Sequence, residues 1–520
     1  MLFKGIDVQT RQTAQPNTIP SPVGGLNGRD PLANMPETDA YMMKNLFPGT
    51  STCKVRPGCS IHQEPVGSPV SSLEVFAGGA DQKILAFAGS NVFDVTAMGL
   101  ATSLKSDLAS DQIVSTMFAT VADSAQWLIV TTGADIPMSF DGTALVNLAF
   151  TGMTEGPETI NFVHPYMGRL FWGVEDRLGF YYLPPGQIQG AMEWYDLGQA
   201  SNLGGRLQAI ASYSQTSAGE GPQDYIVFIS NRGEYFMFQG IDPGDANAWG
   251  IVGRFKGPEP IGRKCVLNYA GDLLVFTTEG LHQFSQIQKL GDTRSEIVAL
   301  SSKLGDILLK NNINRDIWGW CMQLWPAGGW LIANAPDTNN PAGMFRQFVM
   351  NTVTQAWMEI DSVEWMARCW CRANGVIYFG RWDGSIRKVG GLSDNNEAIV
   401  VRCKQAYNYF KSPSHKHFKW AQFLVKSDAP VQLASKLSVD FMEHTPAVAP
   451  SAIGAGEGAI WDIDFWDDAV WASGPYTQRW IAAYGDYGVS ASHWLEGHFD
   501  NVEFEWYSTE HVWEPAQGLL

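Results

Sequence analysis

"DYIVFISNRGEYFMF", Asp224–Phe238, holds two apolar runs on either side of a Gly-containing turn. Tyr225, Val227 and Ile229 fall on one face and Ile226 and Phe228 on the other, the two-residue alternation of a β-strand. The same design recurs along the chain. It reads "KILAFAGSNVFDV" from Lys83, "WLIVTTGADIPMSFDG" from Trp127, "GRLFWGVEDRLGFYYL" from Gly168, "GDLLVFTTEGLHQF" from Gly271, "GGWLIANA" from Gly328 and "NGVIYFGRWDGSIRKV" from Asn374. Anchored on Ile84, Trp127, Leu170, Ile226, Leu273, Trp330 and Val376, successive units lie 43 to 57 residues apart. A four-stranded propeller blade takes about 40–50 residues. One such sheet cannot bury both faces alone, and radial stacking against its neighbours covers them and shields its edges. The sequence therefore predicts an all-β chain, a β-propeller of six or seven blades, against a large β-sandwich as the competing all-β fold.

Working outward, the units leave three segments: an extended N-terminal arm over 1–65, the propeller over 66–395 and a C-terminal β domain over 396–520. One helix is expected, at Ser295–Asn312, where Ile297, Leu300, Leu304 and Ile307-Leu308 keep helical spacing behind a Ser295 N-cap. Ser212–Gln223 reads as a polar loop. The C-terminal segment carries longer strands, a basic patch of Lys404, Lys411, Lys416 and Lys419 with His415 and His417, a Pro/Ala/Gly linker, and a Trp-rich tail.

Composition narrows the function. Hydrophobic residues make up 45% and charged ones only 17%, with 53 Gly and 20 Trp, a mixture suited to short strands and tight turns. The formal charge is −18, so the chain does not coat nucleic acid by neutralising phosphates, though it could line a passage through which DNA slides. Seven scattered cysteines form no disulfide framework and suit a reducing cytoplasm. The N-terminus shows no secretory signal. Ile317–Pro336, the best candidate membrane span, is broken by Pro326 and Gly328-Gly329, so no membrane insertion is expected.

Catalytic motifs are missing. There is no phosphate-binding Gly-x-x-x-x-Gly-Lys loop, dinucleotide fingerprint, His-Glu-x-x-His or nucleophile elbow. Cys369 and Cys371 share a strand face without a second ligand pair and read as buried structural thiols. Asp462, Asp464, Asp467 and Asp468 lack the spacing of a calcium loop and read as a solvated acidic turn. No cofactor, no tightly held metal and no catalytic residue is expected. Asp and Glu are plentiful enough to leave a glycosidase-type carboxylate pair open, so a propeller glycan hydrolase or carbohydrate-binding protein is the alternative reading. The repeated Ser-x-Asp-x-Gly-x-x-Trp turns of sialidase-type propellers do not occur.

Pro22–Ser60 is dense in Gly and Pro but offers no helix N-terminus for a phosphate. Gly24 to Asn27, Met35-Pro36, Asp39-Ala40, Asn45 to Pro48 and Arg56 to Gly58 together resemble the N-terminal signature of tail nozzle or hub proteins of short-tailed bacteriophages, a group of tail tubular and DNA-stabilising proteins. "AYNYFKSPSHKHFKWAQFLVKSD", from Ala406, is similar to a later segment of that family. The resemblance implies a structural virion protein and no enzyme. It would form a ring, hexameric in the family, below portal and adaptor, retaining the packaged genome and then passing the double-stranded DNA. Partners would be further copies of the chain, the adaptor, and tail fibres or tailspikes. The location implied is the virion tail, assembled in the host cytoplasm. Leu26, Asn27, Met35, Tyr41, Phe47, Lys404, Lys411, Lys416 and Lys419 are the assembly or interface candidates, and the DNA-facing surface is expected to be net negative.

Overall fold

The computed structural model describes residues 14–516, apart from 80–81, 121–124, 218–220, 291–298, 310–316, 338–344, 431, 447–452 and 455–475. Strands dominate these residues. The chain forms two compact units: residues 59–355 with 360–390, and residues 1–58 with 356–359 and 391–520.

The first unit is a β-propeller. Six small antiparallel sheets are its free-standing blades. The first blade runs Val70–Phe76, Lys83–Ala88, Asn91–Asp94 and Thr102–Lys105. The second begins at Val114–Ala119, the third at Ile160–Tyr166, the fourth at Leu207–Ser217 and the three-stranded fifth at Val266–Tyr269. A further antiparallel meander, Cys321–Trp325, Trp330–Pro336 and Phe345–Asn351, follows in the chain. The last small sheet holds Ala367–Ala373, Val376–Arg381 and Ile386–Val389. All seven anchors of the sequence repeat lie on the second strand of a sheet or meander. Those second strands, such as Lys83–Ala88 and Trp330–Pro336, are buried almost end to end because a neighbour covers each face.

The last sheet takes its fourth strand from the other end of the chain. Cys59–Gln63 pairs with Ile386–Val389, from Gln63 opposite Ile386 to Cys59 opposite Val389. The sequence had left 59–63 in the N-terminal segment. This strand completes the last blade from the other end of the chain and so ties the end of the ring to its beginning. Around the closure Val70, Leu73, Ile84, Ala86 and Ala88 of the first blade pack on Cys369, Cys371, Ala373 and Ile386 of the last. Elsewhere between blades, Phe180 stacks on Phe228 at 4.3 Å. Phe76, Phe87 and Phe140 fill the space between the first and second.

The second unit is built from both chain ends. Gln15–Pro20 runs antiparallel to Phe504–Pro515, which also pairs with Lys416–Ser427. Asp39–Lys44 pairs with Ile399–Gln405, which continues into Ala491–Asp500. The arm and the C-terminal β domain read from the sequence are thus strands of one unit.

Two local expectations change. In the described part of Ser212–Gln223 two strands continue as a hairpin rather than a loop, from Ser214 opposite Asp224 to Ser217 opposite Gly221, and residues 218–220 lie outside the described residues. Ser214 Oγ donates to Asp224 Oδ1 at 2.5 Å. The helix expected at Ser295–Asn312 does not run through its described part. Ser302–Leu304 is a 3-10 turn, Asp306–Leu309 a single helical turn, and Gly305 between them takes φ 49°. Residues 295–298 and 310–312 lie outside the described residues. A helix instead forms at Phe284–Leu290, where Phe284 meets Tyr213 at 5.2 Å and Tyr235 at 5.8 Å. No helix among the described residues is long and apolar enough to cross a membrane.

Gly380 marks how tightly the ring closes. A Cβ there would lie 2.5 Å from Val70 Cγ1 and 2.8 Å from Cys369 Sγ. Gly380→Ala should destabilise the propeller by about 1–3 kcal/mol, read from the denaturant midpoint. Gly250→Ala, where a Cβ meets nothing within 4 Å, should leave the midpoint unchanged.

Candidate functional site

Two places concentrate the residues that could carry function: the unit built from the chain ends, which holds the signature-like segments, and the axial cavity of the propeller.

In the first, the signature positions serve their own unit. Gly25 takes φ +80°, and a Cβ on it would lie 2.6 Å from Trp357 N, so the glycine permits a backbone approach. Asn27 is fully buried. Its Nδ2 donates to Asp30 Oδ2 at 2.9 Å and Asp39 Oδ2 at 2.8 Å, and its Oδ1 accepts from the amides of Arg29 and Asp30. Arg56 is buried too. It donates through Nη1 and Nη2 to both oxygens of Asp394, at 2.8 and 2.6 Å, and through Nε to Asn45 Oδ1 at 2.8 Å. Asn45, at φ 60°, passes the network on to Val400 O at 2.7 Å. Asp394 was not singled out in the sequence, since no local pattern marks the partner of an arginine more than 300 residues away.

The nine interface candidates divide accordingly. Leu26 and Met35 are buried, Phe47 is half-buried, and Tyr41 stacks on Tyr407 at 6.1 Å. Burial pushes the Tyr41 hydroxyl pKa upward. The basic patch is not a patch. Lys404 is buried, pairs with Glu443 at 2.5 Å and sits 4.3 Å from the Trp494 ring centre. Lys416 is 0% exposed. Its Nζ donates to the carbonyls of Ser412, Ser414 and Val489 at 2.6, 2.9 and 2.8 Å, and burial lowers its pKa. Lys419 is part-exposed and meets Glu514 at 3.1 Å. Lys411 alone of the four is exposed. Leu26, Asn27, Met35, Lys404 and Lys416 therefore offer no free surface to a partner, because the fold of their own unit uses them.

The second place is a cavity of about 470 Å³ on the propeller axis. Strands from all six small sheets and from the Cys321–Trp325 meander line it. Among the described residues Glu74 is its only carboxylate. Lys264 Nζ donates to Glu74 Oε1 at 2.5 Å and Ser115 Oγ to Oε2 at 2.5 Å. Arg263, Arg368 and Arg372 also line it. His164 meets Ser212 Oγ at 2.7 Å, and burial lowers its pKa to about 4. A second cavity of about 790 Å³ shares Arg263 and Trp318 with the first and is lined by Glu175, Glu259, Arg206 and Arg232.

The seven cysteines are free and buried. Burial pushes Cys321 up to about 12 and holds Cys369 and Cys371 well above the usual thiol value, so these thiols stay protonated. Among the described residues no group of three or more His, Cys, Asp or Glu could hold a metal ion. Asp462, Asp464, Asp467 and Asp468 lie outside the described residues.

No family model matches the chain, and no curated protein matches it. Among solved structures, the computationally designed Ika8 protein is similar with a TM-score of 0.36 and 10% identity, covering 64% of this chain and 99% of that one. BBS1N, crystallised in complex with ARL6DN, gives 0.39 and 12%, covering 64% and 98%.

Two predictions follow from these buried groups. Asp394→Ala leaves the Arg56 guanidinium without its carboxylate and should cost about 3–5 kcal/mol, against under about 0.5 kcal/mol for Asp176→Ala at the exposed Arg206 pair, both measured by denaturant unfolding. The histidines set the pH response. Burial lowers His164 and His282 to about 4 and His511 to about 3, and holds His493, hydrogen-bonded to His511 at 2.9 Å, well below its usual value. Unfolding restores a pKa near 6.5, so the unfolded chain binds more protons between about pH 6.5 and 4. Stability should therefore fall as pH drops from 6.5 toward 4. His511→Phe should flatten that decline, read as denaturant midpoints at a series of pH values.

Proposed function

We propose that this chain is a structural virion protein of a short-tailed bacteriophage. It assembles into a ring of identical subunits, a hexamer, at the lower end of the tail. There it continues the DNA channel below portal and adaptor, retains the packaged genome and lets it pass on ejection. One observation carries the reading beyond the sequence resemblance. The N-terminal and C-terminal segments that bear the resemblance lie more than 300 residues apart, yet belong to one unit in which Asp39–Lys44 pairs with Ile399–Gln405. Signature residues Asn45 and Arg56 meet there in a single buried network. That both segments fall in one compact unit supports reading them as one folded platform.

The chain's charge supports the same reading. A net −18 leaves the surface poorly suited to a ladder of phosphate contacts, which would slow DNA in transit. Lys404 and Lys416, which could have formed such contacts, are engaged within their own unit. The alternative, a glycan hydrolase, needs two facing carboxylates. Among the described residues the axial cavity supplies one, with both of its oxygens hydrogen-bonded, so that reading would fall to Glu175 and Glu259 of the second cavity.

Mass photometry of the purified chain, alone and mixed with the cognate adaptor, tests the proposal. A ring several subunits in mass is expected, with duplex DNA binding weaker than micromolar at roughly 200 mM salt. A monomer that persists with the adaptor present, or tight DNA binding at that salt, would overturn it.

A further inference from the structure

The axial cavity holds more positive charge than the protein neutralises. Four cationic side chains line it, Arg263, Lys264, Arg368 and Arg372, against the single carboxylate of Glu74. Lys264 uses that carboxylate, and Ser115 occupies its other oxygen. Arg263 finds only neutral acceptors, Thr132 O at 2.8 Å and Gln112 Oε1 at 3.1 Å. The guanidinium of Arg368 lies 5.3 Å from the centre of the Phe345 ring, and its buried Nε has no acceptor. No ion pair joins Arg263, Arg368 or Arg372 to a carboxylate among the described residues. In a chain with 53 acidic and 35 basic residues, this cavity reverses the overall charge balance. Arg263 and Arg368 are half-buried and Arg372 is exposed, and the buried N–H of Arg368 Nε, which has no acceptor, carries a desolvation cost.

We propose that the axial cavity is a binding site for a multivalent phosphate-class oxyanion. Guanidinium groups present forked donors matched to tetrahedral oxyanions, and charge-assisted bonds of this kind are about twice as strong as neutral ones. The cavity, about 470 Å³, falls within the range of small-ligand pockets and has room for a pyrophosphate or a phosphate monoester. Arg368 and Arg372, on the same strand of the last blade, supply the unspent positive charge. His164 and Ser212 contribute a neutral imidazole and a hydroxyl from the third and fourth blades. The bound anion supplies the counter-charge that the protein lacks and joins the last blade to the rest of the ring. The site does not depend on ring assembly or on the tail reading, since it lies within one propeller.

Isothermal titration of the full chain with inorganic phosphate and with pyrophosphate, against sodium chloride of matched ionic strength, tests this. Saturable binding of one anion per chain is expected. Arg368→Gln and Arg372→Gln should each weaken it at least about 10-fold, while Arg206→Gln, in the neighbouring cavity, should leave it within about two-fold. In anion-free buffer Arg368→Gln should not lower the thermal midpoint, because it removes an unpaired charge; a purely structural arginine would lower it. Should Arg368→Gln fail to fold, the exposed Arg372 carries the comparison alone. Absence of saturable binding by either anion, or undiminished binding by Arg372→Gln, would overturn the site.

Discussion

A propeller blade has two faces to bury and only its neighbours to bury them with, so the ring must close. In this chain closure rests on Cys59–Gln63 pairing with Ile386–Val389, backed by the packing of Val70, Leu73 and Ile84 against Cys369, Cys371 and Ile386. The glycine at 380 is part of the same constraint, since it lets the Val70 and Cys369 side chains pass at contact distance. Burial on both faces fixes the apolar second strands. It also draws the cysteines into the core and raises their thiol pKa values.

The other unit is held differently. Its apolar packing is supplemented by buried cations with matched acceptors: Arg56 with the buried Asp394, Lys404 with the exposed Glu443, and Lys416 with three carbonyls. Losing an acceptor leaves the buried cation with an uncompensated desolvation cost. The propeller axis departs from this rule. Its positive charge exceeds what the surrounding side chains can match.

The propeller was legible because its signal is local and repeated: each second strand shows the same apolar run, as at Ile84, Ile226 and Trp330. The closing strand was not legible. "CSIHQ" at Cys59–Gln63 is short and half-polar, and only its distant partner makes it a strand of the propeller. The lysines failed for a related reason. Lys404 and Lys416 look like a solvated or docking face in "VRCKQ" and "SHKHFK", because a long basic side chain does not record whether a carbonyl cluster or an aromatic ring will receive it. The signature-like residues gave no local hint of their packing. Asn27, Asn45 and Arg56 work inside their own unit through hydrogen bonds to Asp39, Val400 and Asp394. At Ser295–Asn312 the helical spacing of the leucines lost to the backbone turn at Gly305.

Closing a ring with a strand from near its beginning also imposes an order in time. Cys59–Gln63 leaves the ribosome well before Ile386–Val389 exists, and at about 5–20 residues per second the wait is on the order of 15–65 s. During translation the first blade has no partner for the face that will meet Cys369 and Cys371. The nascent chain must therefore carry an uncovered apolar surface from its first blade to its last, which makes this stage of synthesis a natural point for chaperone capture. The polar outer positions of Cys59–Gln63, with Ser60 exposed, help keep that waiting edge from recruiting another chain.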